Sequence, residues 1–81
     1  MKEKKLKPIL QEVEYGKIKV KLDEILNERG ISTYDLSNTA NIRFQTIQTL
    51  RKNDSTRIDF LVLAKLCYAL DVKVEDLIEY E

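Results

Sequence analysis

Apolar residues recur at helical spacing along most of the chain. Ile18, Leu22, Ile25 and Leu26 fall at i, i+4, i+7 and i+8, with Lys19, Lys21, Asp23, Glu24 and Glu28 off that face. This predicts a first helix that stops at Gly30, where a left-handed residue can satisfy the last carbonyls. Val20 lies off the stripe, and the alternation Ile18-Val20-Leu22 also describes a short strand. The start of the helix is therefore open by a turn.

Ser32 is the expected N-cap of a second helix, with Asp35 three residues on in a variant of the capping box. Ile31 and Leu36 stand where a hydrophobic staple would join. This helix is short, Thr33 to Ala40, because Asn41 is suited to a left-handed turn. A third helix spans Phe44 to Lys52, with Ile47 and Leu50 inward and Phe44 a further candidate, and Asn53-Asp54-Ser55-Thr56 closes it. Asp59 starts a fourth helix whose expected buried stripe is Phe60, Leu63, Leu66, Cys67 and Leu70. A fifth piece, Val74 to Glu79, buries Leu77, with Val74 and Ile78 as further candidates. The pattern is that of an all-α, five-helix domain.

Composition narrows the chemistry. Eighty-one residues with 43% hydrophobic and 35% charged content suit one small globular unit. The lone Cys67 cannot form an intramolecular disulfide, and its place in the apolar stripe reads as a small buried hydrophobe. No apolar run suffices for a signal h-region or a membrane span, so the reducing cytoplasm is the expected compartment. With no His and one Cys, most zinc sites, Ser-His-Asp and Cys-His catalysis and the commonest general base are absent. No enzyme and no cofactor is expected.

Fourteen basic and fourteen acidic residues give zero net charge, which taken alone speaks against a nucleic-acid partner. The charge is unevenly placed. Residues 31–58 carry four basic against two acidic residues, whereas residues 59–81 carry two basic against six acidic. Neutrality is thus a sum of opposed regions, one around the third helix and one at the C-terminal quarter.

The informative stretch is STYDLSNTANIRFQTIQTL, residues 32–50. Two short helices joined by a tight turn describe a helix-turn-helix. Leu36 and Ile47 pack helix on helix, Ala40 is small at their approach, Asn41 accepts positive φ and Ile42 plugs the turn into the core. Left outside are Arg43, Gln45, Thr46, Gln48 and Thr49, followed by Arg51 and Lys52. Gln can pair bidentately with adenine and Arg with guanine, and Thr offers a hydroxyl and a methyl. The competing reading, a solvated amphipathic pair, is weakened by the turn spacing and by the two later helices.

From Ile18 to Tyr80 the sequence resembles the Cro/phage-repressor (xenobiotic-response-element) type helix-turn-helix family of transcriptional regulators. Asn41-Ile42-Arg43 stands at the family's turn, Leu63-Ala64-Lys65-Leu66-Cys67-Tyr68-Ala69-Leu70-Asp71-Val72 matches its later helix, and Asp76-Leu77-Ile78 matches its closing one. The resemblance implies a five-helix DNA-binding domain with the helix-turn-helix at helices two and three. It puts a phosphate contact on Thr33, base-reading positions on Phe44, Gln45 and Thr49, and the turn-end position on Arg43. Three departures stand out. Phe44 cannot hydrogen-bond a base, Thr33 replaces a longer Gln, and Arg51 replaces a common Glu. Arg51, Lys52 and Arg57 group beside the third helix, where phosphate contact and plain surface charge are about equally expected.

Leu61, Val62 and Tyr68 lie off the fourth helix's stripe, and Ile78 and Tyr80 follow. They form either a self-association face, giving a homodimer on double-stranded DNA, or a cover over the first helix or the N-terminal arm. Residues 1–16 form that arm, with residues 1–7 expected to be disordered. Lys2, Lys4, Lys5 and Lys7 resemble a phosphate-touching arm, and a strand added to a dimer or a helix packed on the core are the alternatives. Residues 17–81 form the domain proper. The function expected is a double-stranded-DNA-binding transcriptional regulator, a repressor reading the major groove with residues 43–52. The alternative is a protein-interaction module, an antitoxin or phage-type inhibitor, on the same fold.

Overall fold

A computed structural model describes residues 5–81. A short strand β1 (Ile18–Val20) leads into helices α1 (Leu22–Arg29), α2 (Thr33–Ala40), α3 (Phe44–Arg51), α4 (Phe60–Leu70) and α5 (Val74–Leu77), and strand β2 (Ile78–Tyr80) closes the chain. The five expected helices are present. Strand β1 resolves the open start of the first helix in favour of the short strand, and β2 is an addition that corrects the end of the fifth. Ile18 belongs to β1 and is exposed, so α1 starts at Leu22, and α5 stops after Leu77 because Ile78 and Glu79 enter β2.

The local signals act as their chemistry requires. Gly30, at φ 67°, caps α1. The Ser32 hydroxyl accepts the Asp35 amide at 3.0 Å at the start of α2, and Asn41 ends that helix at φ 55°. The Asp59 carboxylate accepts the Leu61 amide at 2.7 Å at the start of α4. Each of these bonds or conformations satisfies backbone groups that a helix end leaves unpaired.

Leu22, Leu26, Leu36, Ala40, Ile42, Ile47, Leu50, Leu66, Leu70 and Leu77 form the buried core, which draws on all five helices and on the turn. Here α2 packs on both α3 and α4, and α1 packs on α3. Phe60, expected in the buried stripe of α4, is instead 83% exposed. Ile58 and Val62 pack against the core at that end and take its place. Cys67 is half-buried, packed against the core as a small apolar side chain. Val74 is exposed.

The strands pair antiparallel, Ile18 opposite Tyr80 and Val20 opposite Ile78. Reciprocal bonds of 2.9 Å between Lys17 and Glu81 extend the ladder by one pair. The outward backbone groups of Val20 meet the side chain of Asn53, which accepts the Val20 amide at 2.7 Å and donates to its carbonyl at 3.0 Å. A carboxamide thus imitates a third strand at an edge that would otherwise be unpaired. It also fastens the turn after α3 to the sheet.

Residues 5–10 carry no regular secondary structure, and the arm meets the body at Gly16, where the Tyr80 hydroxyl donates to the Tyr15 carbonyl. The expected disorder of residues 1–7 and the phosphate-touching role of Lys2 and Lys4 fall wholly or partly on residues 1–4, outside the described residues. Gly16 has φ 83°, and a Cβ there would stand 2.5 Å from the Glu81 carbonyl oxygen. Gly16→Ala is therefore expected to detach the 17–81 pair while leaving the helices intact. Amide hydrogen exchange checks this: Lys17 and Glu81 lose protection and Leu26 and Ile47 keep theirs.

Candidate nucleic-acid interface

α3 is presented by three fixed attachments. Ile47 and Leu50 bury its inner side. The turn before it is closed by the Ser37 hydroxyl, which donates to the Ile42 carbonyl at 2.6 Å, and by the Lys65 ammonium, which donates to the Asn41 carbonyl at 2.9 Å. The angle between α2 and α3 is therefore set by α4 as well as by the turn itself.

The outer side of α3 carries Phe44, 47% exposed, and the exposed Gln45 and Lys52, with Gln48 and Thr49 half-buried beside them. Arg43, the residue before the helix, is exposed. The Thr49 hydroxyl donates to the Gln45 carbonyl at 2.9 Å, so toward solvent it offers its methyl and a lone pair. Along one flank a groove of about 210 Å³ is lined by Gln45, Thr46, Thr49, Arg57 and Val62, among others. Arg57, distant from Gln45 in sequence, is thereby brought alongside the helix. The Ser55 hydroxyl donates to the Arg57 carbonyl at 2.5 Å and shapes that loop.

Two residues of the expected contact set face the other way. Thr33 is 7% exposed, and its hydroxyl accepts from Arg51 Nη1 at 2.9 Å and donates to Gln48 Oε1 at 2.7 Å. Arg51 is also spent within the protein: Nε donates to Asp23 Oδ1 at 2.7 Å and Nη2 to Asn27 Oδ1 at 2.8 Å. Its side chain is 18% exposed. Asn27 in turn donates to the other Asp23 oxygen at 3.1 Å. In the free protein Thr33 and Arg51 thus form a polar bracket joining α1, α2 and α3 in place of an outward face.

Asp23, Asn27 and Asn53 were not singled out by sequence reasoning. A signal for the first two exists in Arg51, which lies four residues after the buried Ile47. A cation at that spacing points inward and requires partners. Asn53 carried only a turn signal, and its φ of 58° agrees with that.

The expected self-association residues separate. Leu61 and Tyr68 are exposed, Tyr68 at 88%. Val62 and Ile78 are half-buried against the core, and Tyr80 is exposed yet bonded to the arm. The acidic C-terminal quarter, residues 59–81, holds α4, α5 and β2, and of it Asp59 and Val62 line the groove beside α3.

Among the described residues no helix is long and apolar enough to cross a membrane. No curated protein compared with the chain matches it. A family model does: residues 21–81, from the residue before α1 through the last residue of the chain, match that of the Cro/C1-type HTH DNA-binding domain. With helices α2 and α3 in helix-turn-helix order and five helices around one core, the chain belongs to the Cro/C1-type helix-turn-helix family of DNA-binding domains.

Proposed function

We propose that this chain is a sequence-specific transcriptional repressor that enters the major groove of double-stranded DNA with α3 and acts by occluding a promoter. The observation that carries the reading is the outer face of α3, polar and short-chained around Gln45 and Thr49, held at a fixed angle and flanked by cations that no other protein group engages among the described residues. Gln45 and Thr49 read base edges, Phe44 offers a surface to a thymine methyl, and Arg43, Lys52 and Arg57 meet phosphates. Thr46 and Gln48 complete the contact set. Thr33 and Arg51 position the helix rather than touch DNA.

The arm, residues 1–16, and the domain, residues 17–81, act as separate units in this reading, and the ladder that begins at Lys17 supports the division. A module with so few free cations binds tightly only when doubled. A homodimer would set two recognition helices about 34–36 Å apart on a two-fold site. Leu61 and Tyr68, with Phe60, are the large exposed hydrophobic side chains of α4 available to such an interface. The cytoplasm is the compartment that suits a DNA-binding repressor with one free thiol.

Fluorescence anisotropy with duplex DNA at rising salt tests this reading. Affinity should fall steeply with salt. Gln45→Ala should relax preference at one base pair at a cost of about 1–3 kcal/mol, and Lys52→Ala should weaken all sequences alike. Binding that is absent or indifferent to salt would overturn the proposal and return the fold to the protein-interaction alternative.

A further inference from the structure

Gln48 is a carboxamide with one acceptor end and one donor end, and in isolation either end can turn outward. Its surroundings remove that freedom. The Arg51 guanidinium can only donate, so the Thr33 hydroxyl, 2.9 Å from Nη1, must accept there. The one proton of that hydroxyl is then directed to its other neighbour, Gln48, at 2.7 Å, and the Gln48 atom receiving it must be the oxygen. Thr33 is 7% exposed, which keeps water from competing for either bond. Arg51 is itself held by Asp23 and Asn27, at 2.7 and 2.8 Å, so the chain of donors has a fixed origin.

We infer that Arg51 and Thr33 are positioning residues that fix the side-chain orientation of Gln48, with its oxygen turned to Thr33 and its Nε2 amide donors left to meet the duplex. The inference rests on the proposed DNA binding through α3. It deepens that reading by giving Gln48 a polarity. A glutamine free to turn can lay both ends against adenine; one whose oxygen is held by Thr33 keeps a single lone pair there and leads with its amide donors. Gln48 so oriented favours a hydrogen-bond acceptor on the DNA, either a base-edge acceptor such as guanine O6 or N7 or thymine O4, or a phosphate oxygen. The polarity originates on α1, far from the groove in sequence, because Asp23 and Asn27 orient the arginine.

The test compares the full chain with Thr33→Val, which keeps the shape and removes the relay, each with and without Gln48→Ala, on duplexes selected from a random pool. If the acceptor is a base edge, the wild-type chain prefers it at one base pair by roughly tenfold, and Thr33→Val reduces that preference to near unity. If it is a phosphate oxygen, Thr33→Val weakens all duplexes alike by a similar factor. In both cases the effect of Thr33→Val should vanish when Gln48 is already alanine, which loss of fold alone would not produce. In the free protein, the Gln48 side-chain amide resonances should shift and broaden in Thr33→Val as both ends become interchangeable. Unchanged resonances, or a Thr33→Val effect that persists in the Gln48→Ala background, would overturn the inference. Failure of the wild-type chain to bind any duplex would instead sink the DNA-binding reading itself.

Discussion

Ile47→Ala is expected to lower the unfolding free energy by about 3–4 kcal/mol, within the range of roughly 2–5 for an aliphatic core truncation. Ile47 is fully buried, sits at the middle of α3, and lies where that helix meets α1 and α2. The lost side chain is not replaced by water, because the surrounding Leu26, Leu36 and Leu50 are themselves buried and apolar. A domain of this size is stable by about 4–12 kcal/mol in total. The loss would therefore consume a large share, and binding by α3 would fail with it at elevated temperature. Urea denaturation should show a lower midpoint with an unchanged slope. A loss under about 1 kcal/mol would mean that α3 is anchored by something other than this contact.

Ile47 was also the residue most readily found from the sequence, for a physical reason. Helices two and three are defined by interactions between residues within one turn of each other: Ser32 to Asp35 at one end, Asn41 at the other, and apolar spacing between. Such signals are local, and they place the helix-turn-helix to within one residue, α3 ending at Arg51 where the sequence suggests Lys52. Strands β1 and β2 have three residues each and partners sixty positions away. Three residues are too few to distinguish period 2 from period 3.6, and pairing at that distance leaves no local trace. Ile18 therefore fits a helix and a strand equally in sequence, and Ile78 reads as the end of a helix.

Phe60 shows a second limit. Spacing identifies a stripe, but the core ends where its other walls end, and Ile58 and Val62 had already filled that place. Side-chain partnerships show a third. The resemblance puts Thr33 at a phosphate and polarity puts Arg51 outside, whereas the bracket depends on Asp23 and Asn27 arriving from another helix. The same bracket explains how Arg can stand where the resemblance leads one to expect Glu: an acid on α1 supplies the opposite charge.

Arg51→Met should cost about 2–3 kcal/mol of stability and leave the salt dependence of DNA binding unchanged. The stability term comes from the bonds to Asp23, Asn27 and Thr33, all charge-assisted through the guanidinium and the first an ion pair. Asp23 remains partly solvated when its partner is removed, so the cost stays below that of stranding a buried charge. Arg51→Lys keeps the charge and loses the planar fork that reaches three partners, and it should recover less than half of the loss. The binding term separates two roles for the same cation. A residue that neutralises a phosphate contributes about one to the slope of log affinity against log salt, so Lys52→Ala should reduce that slope by about one. Arg51→Met should not, since the guanidinium is already occupied by protein groups before DNA arrives. Measured below the unfolding temperature of the variant, a fall in slope with Arg51→Met would assign Arg51 to the DNA and dissolve the bracket on binding. A constant slope with reduced stability would leave phosphate contact to Arg43, Lys52 and Arg57, the cations beside α3 that have no side-chain partner among the described residues.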